Sequence, residues 1–467
     1  MDATFFEQVE GVSEHVAEME ARDEEEAQCA GMWWQMMVQA MFILQAAGAK
    51  GGSVKGKSGN IQRKHHATHV RYMEKYFWPS SSVNPSTGAN GPSHPESTFE
   101  RRFRMPRTVF NALFQGVLTS AYFMKGLKPD ACGRLGITPL VKVIVALREL
   151  SYGLCADLMD ELSEVSSTTA RDCLVNFCKC TIEKHGPKYL RAPTPEDLTR
   201  IEGKFRALGF PGCIGAVDCV GWVWKNCPKA LQGSLKGKGA KPELRAEAIC
   251  DMDLWIWHWQ FGFPGVYNDL QILDNSDHFA NVLSGSFPSV APSYNISGQV
   301  FRFFYYLADG IYPCWKSFLT TISAACSSKE KYFAKCQESI RKVVERVFGV
   351  QFRRFQILEG PSELMDPETM ALITRTCIIM NNMIVEARCE NYSSDGGRGL
   401  SRYYDVEEDV TELELHPLPA NDLVARLEQI GPVLDSIKDE GEHQRLKKAV
   451  VDHLWARKGS SSVDEEL

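Results

Sequence analysis

Asp218 ends an apolar run, Cys213-Ile214-Gly215-Ala216-Val217, and Asp309 ends a second, Phe303-Phe304-Tyr305-Tyr306-Leu307-Ala308. Glu345 lies in a basic stretch, Arg341-Lys342-Val343-Val344-Glu345-Arg346-Val347-Phe348-Gly349. Two aspartates at the ends of buried strands and one helix-borne glutamate can converge on divalent metal. Mg²⁺ takes hard carboxylate oxygens and keeps several waters, so three carboxylates are a sufficient protein contribution. Two ions about 3.5–4 Å apart activate an attacking oxygen and stabilise the leaving oxygen of a phosphodiester. Asp218 is expected to bridge two Mg²⁺ (or Mn²⁺) ions, with Asp309 and Glu345 each completing one side. The substrate this chemistry suits is DNA.

The stretch around Glu345 has the periodicity of a helix that packs on a sheet: Ile340, Val343, Val344, Val347 and Phe348 form one apolar stripe. Arg341, Lys342, Arg346 and Arg353 are candidates for contact with DNA phosphates, since bases beside a metal-binding acid suit a polyanion. The bland alternative is a surface helix in which Glu345 pairs with Arg341 one turn earlier. Other acids read as structural. Asp269 precedes a helix and is expected to cap it, and Asp251 and Asp253 suit a hairpin turn. His258 sits among Trp255, Trp257 and Trp259, a packing environment. Gly233-Ser234-Leu235-Lys236-Gly237-Lys238-Gly239 does not fit the phosphate-loop spacing and reads as a flexible basic loop near DNA. Cys213, Cys219 and Cys227 lack the spacing of a zinc site.

The elements that must position these residues follow from the hydrophobic pattern. Residues 1–57 read as an acidic, poorly ordered extension containing Asp23-Glu24-Glu25-Glu26 and a Gly/Ser/Lys linker. Within it, Met32 to Ala47 is apolar but too short to span a bilayer and reads as a packing or partner helix. Residues 58–204 are helical in period, with Thr138-Pro139 opening one helix. Ala156–Leu162 and Ala170–Ile182, joined across Ser166-Ser167-Thr168-Thr169, have the outline of a helix-turn-helix. Residues 205–400 switch to strands: Cys213–Val217, then a hairpin of Glu243–Cys250 and Leu254–Phe261. Asn268–Ala280 reads as helix, Phe301–Ala308 as strand and Lys329–Phe355 as one long helix. This is an α/β (α+β) pattern with an RNase H-like order of strands and late helix. Residues 401–467 form an acidic tail, helical from Asp422 to Lys458.

The 467-residue chain carries a net charge of −7, unpromising for a nucleic-acid enzyme until its distribution is considered. About ten acids and one Arg fall in residues 1–30, and about sixteen acids and eight bases in residues 401–467, leaving the middle near +10. The acidic ends either screen the basic middle or keep the chain soluble. The fifteen cysteines form no C-x-x-C pair and suit a reducing compartment. The acidic N-terminus does not resemble a signal peptide, and no membrane association is expected.

Several ordered blocks resemble PIF/Harbinger transposases and the nucleases derived from them. Phe210-Pro211-Gly212-Cys213-Ile214-Gly215-Ala216-Val217-Asp218 is similar to their first catalytic-aspartate segment, and Leu307-Ala308-Asp309-Gly310-Ile311-Tyr312-Pro313 to the second. Gln337 through Gly349 is similar to the glutamate block. Trp222-Val223-Trp224-Lys225-Asn226-Cys227-Pro228 and Asp253-Leu254-Trp255-Ile256-Trp257-His258 resemble the plant-type branch, as does Pro264-Gly265-Val266-Tyr267-Asn268-Asp269-Leu270. The resemblance runs from about Tyr72 to Lys458. It implies an RNase H-like core with divalent metal and cut-and-paste DNA transposition. It also implies action in the nucleus as a homo-oligomer on double-stranded DNA, with a Myb-like partner protein. Gly221, where many relatives carry His, and Gln351-Phe352-Arg353-Arg354 depart from the family pattern. An idle core in a domesticated DNA-binding or scaffold protein is the alternative. A hydrolase of RNA or nucleotides is a third possibility, disfavoured by the long basic helix.

Overall fold

The computed structural model describes residues 63–127, 136–394, 413–417 and 438–461. The expected acidic extension, its partner helix and most of the acidic tail lie outside the described residues. The first layer is helical: α1 (His65–Tyr72), α2 (Glu96–Phe103), α3 (Arg107–Leu118), α4 (Pro139–Tyr152), α5 (Leu158–Ser163), α6 (Ser167–Tyr189) and α7 (Pro195–Ala207). Then come β1 (Cys213–Val223), β2 (Glu243–Cys250), β3 (Ile256–Pro264), α8 (Asp269–Leu273), α9 (Asp277–Leu283), β4 (Val290–Ile296), β5 (Gln299–Phe301), β6 (Tyr305–Ala308) and β7 (Phe318–Thr320). The chain continues through α10 (Ser328–Arg341), α11 (Val343–Arg354), α12 (Pro367–Ser394), β8 (Glu414–Pro417) and α13 (Glu440–Ser461).

The central sheet has the order β3-β2-β1-β6-β7. Its first three strands are antiparallel, and β6 and β7 run parallel to β1. Residues 213–217 are buried on both faces, as a strand sandwiched between helices must be. Gly212 admits the chain to β1 at φ +82°; a Cβ there would stand 2.0 Å from the Tyr294 ring, so only glycine fits. A smaller sheet, β5-β4-β8, flanks the core. On one side α11 packs against β1 and β2, and α10 against β6 and α13.

The expected hairpin is present, with Asp251 shaping its turn by accepting from the Asp253 and Trp255 amides. Thr138 caps α4 with Pro139 in its first turn, as the sequence indicated. Three expectations need correction. The long helix is two: α10 ends at Arg341 and α11 starts at Val343, with Lys342 at ψ −3° between them. Each half answers to its own packing, α10 to the ends of β6 and β7 and α11 to the faces of β1 and β2. The strand expected over 301–308 is split, because Phe301 closes β5 in the small sheet while Tyr305 opens β6. Asn268–Ala280 is likewise two short helices, each with its own cap, Asn268 and Ser276.

In the helical layer α4 is buried except at Arg148 and Tyr152, which leaves Glu149 inside the core at 4% exposure. Its Oε1 has no hydrogen-bond partner. Burial pushes its carboxyl up to about 8, against a smaller opposing pull from Arg171. The folded state therefore prefers the protonated acid. That preference stabilises fully below the unfolded value near 4.5 and is lost as pH rises through about 8. Glu149→Gln is expected to flatten the pH dependence of stability across that window and to raise the melting temperature most at pH 8. Parallel melting curves for the two proteins from pH 5 to 8 would contradict this.

Candidate active site

Asp218 lies opposite Ala248 on β2, in the part of β1 that runs out beyond its pairing with β6. Side chains alternate between faces along a strand. Asp218 takes the α11 face, and Cys219 takes the other. Asp218 Oδ1 accepts from the Cys219 amide at 2.8 Å, and Oδ2 lies 3.5 Å from Arg341 Nη1. The same guanidinium donates through Nη2 to Glu345 Oε1 at 2.8 Å. Arg341 is 12% exposed, Asp218 21% and Glu345 47%, so the site is a half-open notch.

Asp309 follows β6 at the edge reached by Asp218. The parallel register sets Ala216 beside Leu307, so both acids stand two residues farther on along neighbouring strands. Asp309 is exposed and accepts from the Gly310 amide. Its loop is fixed by Tyr312, whose amide donates to Asp309 O and whose hydroxyl lies 3.7 Å from Cys219 Sγ. Gln337, fully buried on α10, donates to both Ala308 O and Leu319 O at 3.0 and 2.9 Å. It thereby locks the ends of β6 and β7 to the helix that delivers Arg341.

Burial pushes the Asp218 carboxyl up to about 6. The Cys219 amide and Arg341 oppose the shift, while Asp269 and Glu345 add to it by like-charge repulsion. The notch thus gathers negative charge that a cation relieves, and Arg341 is the cation present. Among the described residues no three His, Cys, Asp or Glu side chains are already gathered closely enough to hold a metal ion. The donors are nevertheless three carboxylates on neighbouring backbone positions, and two of them already grip one positive group. Their chemistry fits Mg²⁺ or Mn²⁺.

The remaining candidates divide. Arg341 is engaged by the carboxylates, whereas Lys342, Arg346 and Arg353 are exposed along the outer side of α11. The bland reading of Glu345 as the ion-pair partner of Arg341 is correct as far as it goes, but the pair also takes in Asp218. Asp269 is not the cap of α8; Asn268 is, and Asp269 in the first turn pairs with Arg245 at 2.7 Å. Asp253 pairs with Arg200 and Lys204. His258 packs in the strand and also stands 3.2 Å from buried Glu247. The Gly221 position faces Glu243, whose carboxyl carbon would lie 2.9 Å from a Cβ there. A 190 Å³ cavity on the other face of the sheet, lined by Ile214, Ile249, His258, His278 and Tyr306 among others, includes none of the three carboxylates. Sequence reasoning missed Gln337 and the reach of Arg341 to Asp218. The signal was available: Gln337, Arg341 and Glu345 recur every four residues, on one helical face.

Residues 187–392, which contain all three acids and the whole central sheet, match the family model described as plant transposon protein. Through this core the chain is similar to the plant transposon protein family. Among curated proteins it is similar to the candidate nuclease HARBI1 of Rattus norvegicus, at 22% identity over 262 residues, covering 55% of this chain and 70% of the relative. No solved structure matches. Among the described residues no helix is long and apolar enough to cross a membrane.

If Arg341 holds the charge balance of the notch, Arg341→Gln should raise the Asp218 titration midpoint from about 6 by roughly one unit, the usual effect of losing a close opposite charge. Carboxyl-carbon NMR of the metal-free protein reads this directly. An unmoved midpoint would show that the guanidinium does not serve Asp218.

Proposed function

We propose that this protein is a divalent-metal-dependent DNA endonuclease of the transposase type, built on an RNase H-like core. The observation that carries the reading is the meeting of Asp218 and Glu345 on one guanidinium beside the Asp309 strand end. The strand order, with three antiparallel strands and two parallel additions, supports the RNase H-like assignment. The similarity to a rat protein named as a candidate nuclease supports the reaction class.

Asp218, Asp309 and Glu345 would hold the metal. A divalent pair bound there supplies the charge that activates the attacking oxygen and stabilises the leaving one. The chain's own residues do the rest. Asp218, raised to about 6, is largely ionised at neutral pH and available as a ligand. Arg341 swings from between the carboxylates toward the phosphate, where its planar fork suits two phosphate oxygens. Gln337 keeps the Asp309 strand end in register while this happens. Lys342, Arg346 and Arg353 contact the flanking backbone. Hydrolysis at the element's end would free a 3′-OH, which the same site would join to target DNA. Pairing two ends requires a homo-oligomer on double-stranded DNA, and we place the reaction in the nucleus with a Myb-like partner protein.

One observation favours the second reading, an idle core in a DNA-binding or scaffold protein: Arg341 already pairs with two of the three acids. A cleavage assay separates the two. Asp218→Asn, Asp309→Asn and Glu345→Gln are each expected to lower Mg²⁺-dependent nicking of duplex DNA by at least about 10³-fold, as loss of a metal's transition-state stabilisation of several kcal/mol requires. Each variant should still melt cooperatively, although Asp218→Asn and Glu345→Gln each remove a partner of Arg341 and lower the melting temperature. Cleavage at the wild-type rate by any of the three removes that residue from the site. A wild-type protein inactive with both Mg²⁺ and Mn²⁺ supports the idle core.

A further inference from the structure

The connection between β1 and β2 carries charge that the carboxylate notch does not account for. Residues 224–242 contain five lysines and no aspartate or glutamate. Lys225 is paired with Glu363 at 2.5 Å. Lys229, Lys236, Lys238 and Lys241 are exposed, and none has a salt-bridge partner among the described residues. The loop is nonetheless built. Leu235 and Cys227 are buried beneath it. The Glu243 amide donates to Leu235 O and the Gly237 amide to Lys241 O, which closes the tip. The Trp224 amide donates to Pro242 O at its neck. Such a loop presents its lysines at fixed places instead of trailing them.

Its place in the fold is set by hydrogen bonds. Beyond Asp218 the β1 strand continues five residues to Val223 before the loop begins. On the α11 face, the segment after α11 is strapped to the same neck. Gly360 O accepts from Trp222 Nε1, the Ser362 amide donates to Val223 O, and the Lys225 amide donates to Ser362 O. Helix α11 therefore runs alongside β1 from the notch toward the loop. Lys342, Arg346 and Arg353 recur along its exposed side at helical spacing. Exposed bases therefore follow the notch on both connected elements, three along α11 and four on the loop beyond the neck.

We propose that the β1–β2 loop, through Lys229, Lys236, Lys238 and Lys241, is a second phosphate-binding site that grips duplex DNA away from the cut. The proposal rests on the reading of this chain as a DNA nuclease. Five strand residues span roughly 17 Å at about 3.4 Å each. At 3.4 Å of duplex axis per base pair, the loop meets the backbone roughly five base pairs from the scissile phosphate. It reads no bases, since lysines on a hairpin tip contact phosphate and fix position without carrying sequence information.

The test uses the full chain carrying Asp218→Asn to prevent cleavage, and a 30-base-pair duplex followed by fluorescence anisotropy across a salt series. Each phosphate neutralised adds about 0.9 to the slope of log affinity against log salt. Replacing the four loop lysines with Gln is expected to make the slope shallower by about 3.6. Replacing four exposed lysines on or beside α10 and α13 (Lys331, Lys335, Lys438 and Lys448) should leave it within one unit. An unchanged slope in the loop variant overturns the proposal, as does an equal change in the control set. Affinity lost for single-stranded RNA but kept for duplex DNA also overturns it. Should the fourfold variant melt early, Lys236→Gln with Lys238→Gln at the tip is the substitute, with about half the change in slope. Failure of the underlying reading is distinguishable: the wild-type chain would then fail to nick the duplex with Mg²⁺ or Mn²⁺, whatever the loop variant does to the salt slope.

Discussion

A guanidinium held between two carboxylates organises this protein's candidate chemistry. Arg341 is nearly buried, and removing a charge from water is costly unless partners compensate. Asp218 and Glu345 are those partners, at 3.5 and 2.8 Å. The arrangement constrains the whole C-terminal half of the fold. Arg341 reaches Asp218 only because α10 ends at that residue, and α10 stays there because Gln337 is bonded to the ends of β6 and β7. Were the helix continuous through Lys342, the α10 contacts to β6 and the α11 contacts to β1 could not both be kept.

The placement of the candidate residues on their elements was largely legible before any fold was known. An apolar run ending in one aspartate is a physical signature of a strand whose last side chain leaves the core, and it located Asp218 and Asp309. The apolar stripe through Val343, Val344 and Val347 placed Glu345 against the sheet. Other features were not legible, for identifiable reasons. The helix break at Lys342 has no proline or glycine to mark it; two packing surfaces impose it. The caps were misassigned at Asp269 because Asn268, one residue earlier, competes better for the exposed amides, leaving Asp269 free to pair with Arg245 across a distance that sequence does not display. Glu149 gave no warning either, since an acid in an apolar helix reads as a solvent-facing residue until the face that carries it is found covered.

The charge distribution gains meaning from the geometry. Net charge alone argues against a polyanion partner, yet exposed bases gather on α11 and on the β1–β2 loop, the two elements that extend beyond the acids. A negative notch with exposed bases beyond it suits a ligand that is itself negative and needs metal at one point along its length. The N-terminal helical layer packs on the central sheet through α12, which contacts both α6 and β3. The two halves keep separate apolar cores, and α12 bridges them.

The central claim is that Asp218, Asp309 and Glu345 take hold of divalent metal once Arg341 yields. Crystals soaked in Mn²⁺ and measured at its absorption edge test it most directly. The expected result is anomalous density within roughly 2.1 Å of oxygens from all three carboxylates, with Arg341 turned away. Density elsewhere on the molecule, or a guanidinium still seated between Asp218 and Glu345 at saturating metal, would contradict it.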